Sequence, residues 1–520
     1  MKNIFVILTL LFVYAFANAQ FENDVEFVWG NWGAGTNAEG KLKNFIVDEA
    51  SKNQFVLHKT GSKSYVSIVD ESNEYVTNKV FEVEKDGKFD LMHDIFLMGG
   101  KLYLLTSRYD AVPFTVFVYA QEIDKDNLEP KGEPKLLMAR KENFVKDGPE
   151  YKDTRYNLKF SKDGSHMMML HSPGMIDNWK FRGKKEATKK DYSFAVFNEN
   201  LEEIYTQNEL RFGDYRFVRE ILLDDDGWLY TLSFKGPNAE KAALLTSFDE
   251  TGDMAWRDTI KFGQFLKADY HIESGTDQLS VFTFYSSSKT KELYYGMHTS
   301  VYNNEDGSKI YTTNNKFEKA LMDKFKNRNT RILPGAKIDE AARDITLGGY
   351  NIIMVGASFK GKVLIAEKTS DYYKVDEDVP SGKIKGDILV LKMKNDWSYE
   401  FGVRIPRHQY STAERNFNRM SMAYINNANT LHIFFNDSPD NYKKTKAPMR
   451  EVYNADQNGG CLVHYEIDMR DGSVLHEYPI HTNKDKSVVT YPGLFKELGT
   501  DRLKIYGEVG KFKIGEMIVH

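Results

Sequence analysis

One pattern of hydrophobic and polar positions recurs along the chain: a short apolar segment, a polar or glycine-rich turn, and a second segment in which apolar and polar residues alternate. Alternation with a period of two is typical of a β-strand, so each copy predicts a β-hairpin. The eight copies are VDEASKNQFVLHK, IFLMGGKLYLLTS, LKFSKDGSHMMMLHS, ILLDDDGWLYTLSF, HIESGTDQLSVFTFYS, ITLGGYNIIMVGAS, MAYINNANTLHIFFND and LFKELGTDRLKIYGEV.

Most of these hairpins are followed by a second one, as in FAVFNENLEEIYTQ and TSVYNNEDGSKIYTT. Four strands in each repeated unit are typical of a β-propeller blade. We therefore predict an all-β fold, a single β-propeller of eight four-stranded blades, with seven blades as the alternative. The spacing exceeds the ~40–50 residues of compact blades, which places extra residues in loops. The repeats start near residues 44, 91, 157, 218, 270, 343, 420 and 491.

The two ends of the chain suggest how such a ring closes. The last repeat ends with GKFKIGEMIVH, one strand short of a full blade, and the apolar segment DVEFVWG near the N-terminus has no hairpin partner nearby. An unpaired sheet edge leaves backbone hydrogen-bonding groups unsatisfied. We therefore expect Val25 to Trp29 to form the outer strand of the last blade, so that the N-terminal strand pairs with the C-terminal blade.

The first nineteen residues have the organisation of a secretory signal peptide. A lysine precedes the apolar run IFVILTLLFVYAF, and Ala17 and Ala19 are the small residues that signal peptidase accepts. The run is shorter than the ~20 residues of a membrane-spanning helix, and no later run reaches that length. We predict a signal peptide over residues 1–19, a propeller over residues 20–520, and no transmembrane segment in the mature chain.

Composition and cysteine usage narrow the class of protein. The formal net charge of −5 lacks the basic surplus of a nucleic-acid binder. The single cysteine, Cys461, cannot form an intramolecular disulfide, and it does not follow the predicted cleavage site, so we expect no lipid anchor. Because no histidine lies beside Cys461 in the sequence, a buried thiol is favoured over a nucleophile.

Two segments share some features with metal sites. ILLDDDGWLY carries Asp224 and Asp226, but the following alternating positions supply no further oxygen ligand for calcium, so a tight turn fits better. In HMMMLH, His166 and His171 point to opposite faces of a strand, which favours a buried strand through Met167–Met169 over a soft-metal site. The chain has no G-x-S-x-G, H-E-x-x-H or phosphate-loop motif. We predict no cofactor, no metal site and no catalytic residue.

The best candidate for a binding site repeats with the architecture. Three inner strands open with HDIFL, REILL and RDITL, each placing a basic residue before an acid, and an arginine stands at a similar place in the seventh repeat. Because inner strands line the channel of a propeller, we expect these side chains near one mouth of it. Two interpretations stay open: arginine–carboxylate pairs that tie neighbouring blades together, or an anion-binding funnel for a carboxylate or phosphate. The basic residues are His93, Arg219, Arg343 and Arg419.

Two loop segments are also distinctive. NKFEKALMDKFKNRN places Phe317 and Leu321 on one stripe, which predicts a short amphipathic helix near residues 315–329 with Asn315 as its N-cap. The basic segment RGKKEATKK is interpreted as a solvated hairpin tip or as a contact with an acidic partner or lipid headgroup.

Three stretches support a resemblance to a known family. GDILVLKMKNDWSYEFGVRIPRHQYS, the strand LHIFFND and the unit FAVFNENL resemble a family of exported, propeller-like proteins of the Bacteroidota. The resemblance spans about residues 150–480 and implies a propeller fold and an envelope location. It carries over no active-site residue.

Two classes of function fit these observations. The first is a non-enzymatic scaffold or protein-binding module of the bacterial cell envelope, part of a periplasmic or outer-membrane-associated complex. The alternative is a glycan- or anion-binding protein, or a hydrolase, that uses the channel mouth. Surface proteins of the Bacteroidota-specific secretion route resemble one another in an extra C-terminal sorting domain, whereas this chain ends in the predicted last blade. We therefore expect a periplasmic location, with an extracellular or outer-membrane-associated one as the alternative, and protein partners in the envelope.

Overall fold

The structure is a computed structural model, and it describes most of the chain from Val25 to His520. The predicted signal peptide and the basic segment at 182–190 lie outside the described residues. The described ranges are 25–35, 41–60, 63–82, 89–110, 115–141, 156–171, 192–210, 217–234, 242–261, 270–275, 277–286, 294–321, 336–337, 350–374, 382–412, 416–442, 452–456, 460–482, 488–508 and 511–520.

Eight antiparallel sheets form the blades of a β-propeller, which confirms the predicted fold class and blade count. Blade 1 follows the N-terminal strand β1 (Val25–Gly35) and contains β2 (Lys41–Val47), β3 (Gln54–Thr60), β4 (Lys63–Val69) and β5 (Tyr75–Glu82). Blade 2 contains β6 (Phe89–Met98), β7 (Lys101–Asp110), β8 (Thr115–Ile123) and β9 (Lys135–Lys141). Blade 3 contains β10 (Tyr156–Phe160), β11 (His166–His171), β12 (Tyr192–Asn198) and β13 (Glu203–Leu210).

The next two blades repeat this order, from the innermost to the outermost strand. Blade 4 contains β14 (Phe217–Leu223), β15 (Leu229–Phe234), β16 (Ala242–Phe248) and β17 (Met254–Lys261). Blade 5 contains β18 (Tyr270–Ser274), β19 (Gln278–Ser286), β20 (Tyr294–Asn303) and β21 (Lys309–Lys316).

The last three blades carry additions to the four-strand plan. Blade 6 contains β22 (Ala336–Lys337), β23 (Tyr350–Ser358), β24 (Gly361–Lys374), β25 (Gly382–Met393), β26 (Tyr399–Ile405) and β27 (Gln409–Ser411). After the short helix α1 (Phe417–Met420), blade 7 contains β28 (Met422–Asn426), β29 (Thr430–Asp437), β31 (Cys461–Asp468) and β32 (Val474–Thr482), and β30 (Tyr453–Asn454) pairs in parallel with β27. Blade 8 contains β33 (Val489–Thr490), β34 (Lys496–Glu497), β35 (Arg502–Glu508) and β36 (Lys511–Val519), with a 3₁₀ turn at Pro492–Leu494. A second 3₁₀ turn, Pro439–Tyr442, follows β29 in blade 7.

Burial within a blade follows from the position of each strand. The middle strands β15 (LYTLSF) and β16 (AALLTSF) are buried almost throughout, because neighbouring blades cover both of their faces. The outer strand β17 (MAWRDTIK) instead alternates between buried and exposed side chains. Met167–Met169 are fully buried in the middle strand β11, as predicted, and Cys461 is buried at the start of β31.

The segment ILLDDDGWLY forms the predicted tight turn between two strands. The Asp224 Oδ1 atom accepts backbone hydrogen bonds from Asp226 N at 3.1 Å and Trp228 N at 2.8 Å. Gly227 has a φ of +83°, a conformation that glycine adopts at little cost. The aspartate therefore shapes the turn from within.

The described residues form nine hydrophobic clusters, of which eight each lie between two neighbouring blades. The ninth packs α1 against β30. The cluster between blades 2 and 3, for example, joins Leu105 and Val118 to Met167 and Met169. One cluster joins blade 8 to blade 1, through contacts such as Phe45 with Tyr506. The set of apolar interfaces is thus continuous around the ring.

The N-terminal strand closes the ring as predicted. β1 pairs antiparallel with β36, with Val25 opposite Val519 and Trp29 opposite Gly515. Trp29 packs against the cluster shared by blades 7 and 8. β1 also approaches blade 1, because a Cβ atom on Gly30 would lie only 1.8 Å from the backbone oxygen of Asn73.

The ring has two different faces. The turn face is formed by the connections between first and second strands and between third and fourth strands, such as 48–53 and 70–74, and these are short. The second and third strands of a blade, and consecutive blades, are connected at the opposite face, which we name the crossover face; α1 and β30 lie on this side.

The amphipathic segment after blade 5 differs from its prediction at one residue. Asn315, predicted as an N-cap, lies in β21, where its Oδ1 atom accepts a hydrogen bond from Tyr399 N at 2.9 Å. Residues 319–321 are helical, and Phe317 and Leu321 are buried in the cluster between blades 5 and 6. The rest of the predicted helix lies outside the described residues.

Candidate functional site

Two of the four predicted channel residues lie on inner strands, at β-bulges. The pairing of β6 with β7 skips His93, between Met92 and Asp94, and the pairing of β14 with β15 skips Arg219. A bulge inserts one extra residue and changes the direction in which the following side chains point. The side chain of Arg219 and the whole of Arg343 lie outside the described part of the molecule.

His93 is directed into its own blade. Its Nε2 atom lies 2.6 Å from the Ser107 hydroxyl on the neighbouring strand β7. Burial, together with a smaller effect of the positive charge of Lys59, lowers the pKa of His93 to about 4. His93 is therefore neutral near pH 7 and makes a structural hydrogen bond within blade 2.

The acid that follows each bulge connects neighbouring blades. Asn44 Nδ2 of blade 1 donates a hydrogen bond of 2.7 Å to Asp94 Oδ1 of blade 2. Between blades 4 and 5, Glu220 Oε1 lies 3.7 Å from His271 Nδ1, and His271 Nε2 lies 3.3 Å from Glu273 Oε2 on its own strand. The described contacts between blades thus pair these acids with an amide and an imidazole rather than with arginine.

Burial makes these carboxyl groups unusually weak acids. It raises the pKa of Asp94 despite the hydrogen bond from Asn44. It also raises the pKa of Glu220, although the nearby charges of His271 and Lys159 oppose the shift. Such carboxyl groups can hold a proton more readily than exposed ones, a property that general acids share.

The polar groups of the inner strands do not form a metal site in the described ranges. There, no group of three or more His, Cys, Asp or Glu side chains is placed to hold a metal ion. The Glu220–His271–Glu273 contacts join two carboxylates through one imidazole, which suits a structural link between blades 4 and 5.

Arg419, the fourth predicted residue, lies in α1 at the crossover face rather than on an inner strand. Its guanidinium donates a hydrogen bond of 2.7 Å to the Tyr491 hydroxyl and one of 3.2 Å to the Ala455 carbonyl oxygen. The same group lies 4.8 Å from the centre of the Tyr491 ring. Tyr491 in turn donates to Glu508 at 3.0 Å. Arg419 therefore connects blade 8 with Ala455, the residue that follows β30 in blade 7.

A buried ionic cluster in blade 6 was not predicted from the sequence. Arg407 is fully buried and donates to Glu367 Oε1 at 2.7 Å, to the Gly386 carbonyl oxygen at 2.9 Å and to the Met420 carbonyl oxygen at 3.2 Å. Lys385 also pairs with Glu367. Burial alone would raise the pKa of Glu367, but the charges of Arg407 and Lys385 outweigh it and lower that pKa. The cluster holds the connection from blade 6 to blade 7 in place.

Asp456 follows β30 and fixes this part of blade 7 against the connection from blade 6 to blade 7. Ser411, Thr412 and Asn416 all donate hydrogen bonds to its carboxylate. Burial raises the pKa of Asp456, but these hydrogen bonds outweigh the effect and lower it to about 2. Asp456 is therefore charged at every physiological pH and stabilises this part of the crossover face.

The fold and these contacts define the protein as an eight-bladed β-propeller whose described polar networks join its blades. No protein-family model matches the chain, and no curated protein matches it. No described helix is long and apolar enough to cross a membrane.

Solved structures resemble the chain only distantly. Sqt1 of Saccharomyces cerevisiae has 11% identity and a TM-score of 0.41, over 95% of this chain and 99% of that one. Prolyl oligopeptidase B of Galerina marginata has 11% identity and a TM-score of 0.37, over 94% and 55% of the two chains. Oligopeptidase B of Leishmania major has 8% identity and a TM-score of 0.39, over 90% and 54%. The chain thus spans about half the length of either peptidase, and these likenesses carry no functional argument.

Proposed function

We propose that the protein is a non-enzymatic scaffold or protein-binding module of the bacterial cell envelope. The observation that carries the proposal is a repeated set of exposed aliphatic side chains at the first or second position of the outermost strands. Val76 and Met254 are each 53% exposed. We name this set the rim collar, and its members are Val76, Leu136, Ile204, Met254, Ile310, Val474 and Leu475.

The repetition is the reason to connect the rim collar with binding. Single exposed aliphatic residues are ordinary on protein surfaces. Here, however, they recur beside the connection between the third and fourth strands in blades 1, 2, 3, 4, 5 and 7. Packing within a blade does not require them, since the outer strands bury other side chains, such as Tyr205 in blade 3 and Trp256 in blade 4. A partner protein that wraps the rim would remove these side chains from water.

Affinity purification from the native envelope tests the proposal. We expect a protein partner in stoichiometric amount with the wild-type chain and its loss from the variant Ile204→Glu/Met254→Glu. The matched control, Thr206→Glu/Ala255→Glu, adds the same charges at exposed positions of the same strands and should keep the partner. A chain that purifies alone, or a partner that the Ile204→Glu/Met254→Glu variant retains, contradicts the proposal.

A second candidate is a glycan- or anion-binding protein, or a hydrolase, that uses the channel mouth. The raised pKa of Glu220 favours it, because a carboxyl group that retains its proton can act as a general acid. Glycan hydrolysis by the purified monomer, abolished by Glu220→Gln, would support this candidate and refute the scaffold.

The proposed location is the periplasm, as part of a periplasmic or outer-membrane-associated complex. The signal-peptide pattern and the resemblance to exported proteins of the Bacteroidota support it. Cell fractionation should recover the protein with the periplasm or on the periplasmic side of the outer membrane. Digestion of the protein by protease added to intact cells would contradict this location.

A further inference from the structure

A cavity of about 440 Å³ opens on the turn face where the ring closes. It lies between blade 8 and blade 1, and part of its lining comes from the connection 70–74, next to Val76 of the rim collar. Its volume falls within the usual ~300–1,000 Å³ of small-molecule sites. Its lining combines three basic, two acidic and two aliphatic side chains with one serine: Val47, Lys52, Glu71, Ser72, Leu498, Arg502, Lys504 and Glu516.

The innermost charged group of the cavity is Lys504. Its side chain is only 3% exposed, and its ammonium group donates to Asn73 Oδ1 at 2.8 Å and to Glu516 Oε1 at 2.7 Å. An ammonium group has three N–H donors. The described residues accept two of them, which leaves one buried donor for a further acceptor at the cavity.

The mouth of the cavity carries two more cations, both exposed. Lys52 has a φ of +60°, a left-handed conformation that costs a lysine more than a glycine. The corresponding turns of blades 2, 3 and 4 place Gly100, Gly164 and Gly227 in this conformation. Blade 1 therefore keeps a positive charge at a position where blades 2, 3 and 4 have glycine, as blade 6 does with Lys360.

The charges around the cavity select the class of ligand. Within the lining, Lys504 neutralises Glu516, and Lys52 and Arg502 together exceed Glu71 by one positive charge. Asp501, outside the lining, lies 3.8 Å from Arg502 and offsets part of its charge. A monoanion balances this excess, whereas a dianion would be repelled by Glu71. Val47 and Leu498 supply apolar surface for a short aliphatic tail.

We propose that this cavity binds a small aliphatic monocarboxylate. One carboxylate oxygen accepts the third N–H of Lys504, and Lys52 and Arg502 bind the carboxylate from the mouth. Because Lys504 and Glu516 belong to blade 8 and Lys52 to blade 1, the ligand joins the two blades that close the ring. Its binding should therefore raise the melting temperature, since it favours the folded chain.

Calorimetric titration of the mature chain with sodium butyrate at low ionic strength and pH 7 tests the site. We expect saturable binding, weakened about tenfold or more in Lys52→Gln/Arg502→Gln, because charge-assisted hydrogen bonds are lost. The control Lys162→Gln/Lys360→Gln removes two charges from the same face, and Lys360 also has a left-handed φ of +50°. This control should bind butyrate like the wild type.

Three outcomes overturn the proposal: no saturable binding of butyrate to the wild type, equal binding in the Lys52→Gln/Arg502→Gln variant, or tighter binding of inorganic phosphate than of butyrate. Lys504→Met should abolish binding. If this variant does not fold, the Lys52→Gln/Arg502→Gln variant still tests the site. The readout is independent of partner capture by the rim collar, so the two proposals can fail separately.

Discussion

The seam between blades 8 and 1 is packed with aromatic rings, whereas the junction of blades 6 and 7 encloses charged side chains. At the seam, His58 lies 3.3 Å from the Tyr506 hydroxyl and 5.0 Å, ring to ring, from Phe512. At the junction, Arg407 and Glu367 form an ion pair that solvent does not reach. Apolar contacts contribute in proportion to the area they bury, while a buried ion pair depends on every one of its partners. Interfaces within one ring can therefore differ in how much stability they lose when a single side chain is removed.

Removal of the strand that closes the seam should have the largest effect. Deletion of residues 20–30 removes Val25 to Trp29, which pair with β36. Burial of a large aromatic side chain contributes ~1.5–3 kcal/mol, and several backbone hydrogen bonds are lost as well, against a total stability of ~5–15 kcal/mol. We expect a markedly lower melting temperature and aggregation through the open edge, measured by thermal denaturation with light scattering.

A cross-link provides an independent check of this closure. Glu26 lies opposite Ile518, so cysteines at these two positions should form a disulfide in a Cys461→Ala background. The control pair Glu26→Cys/Lys513→Cys is out of register and should stay reduced. Unchanged melting after the deletion, together with no disulfide in the first pair, would mean that the ring closes in another way.

Disruption of the charged junction should have the next largest effect. Arg407→Met leaves Glu367 buried with only part of its compensation, and removing one partner of a buried ion pair costs about 3–5 kcal/mol. The matched control is Arg502→Met, because Arg502 and its partner Asp501 are both exposed, by 52% and 56% of their side chains. Exposed pairs contribute ~0–1 kcal/mol. Equal losses in urea denaturation of the two variants would contradict a special role for the buried cluster.

Lowering the pH should destabilise the seam before the junction, and this effect should be smaller than those of the two changes above. Burial lowers the pKa of His58 to about 4, from 6.5 for the free side chain. Between these values the unfolded chain binds a proton that the folded chain excludes, so the free energy of unfolding falls as the pH falls, by at most about 1.4 kcal/mol per pH unit. At the junction, Glu367 and Asp456 have lowered pKa values in the folded protein. Their contribution to the free energy of unfolding is therefore retained until the pH falls below about 4.

Urea denaturation between pH 7.5 and 4.5 measures this difference. His58→Gln should lose less stability across the range than the wild type, because the glutamine does not titrate. The slope is compared rather than the absolute stability, so a general weakening of the seam does not affect the result. Identical slopes would show that His58 is not the group that makes the seam sensitive to acid.

The fold could be predicted because its signals are local. Alternation within each repeat and the unpaired apolar segment at Val25 to Trp29 predicted the blades and the strand that closes them. The polar networks have no such signal: Glu367 lies on β24 and Arg407 in the connection between β26 and β27, and the two meet only when the sheet forms. The bulges at His93 and Arg219 also could not be predicted from the alternation of apolar and polar residues, because one extra residue changes which side chains face the channel.

The pairing of β1 with β36 also governs when the native structure can form. Val25 emerges early during synthesis and has to wait for Val519, nearly the whole chain later, before its backbone partners exist. Contacts between residues so distant in sequence slow folding, since a large loop has to close before they can form. Until then, blade 8 presents an open edge to other chains. Association of incompletely folded copies through this edge is therefore a risk until β1 has paired with β36.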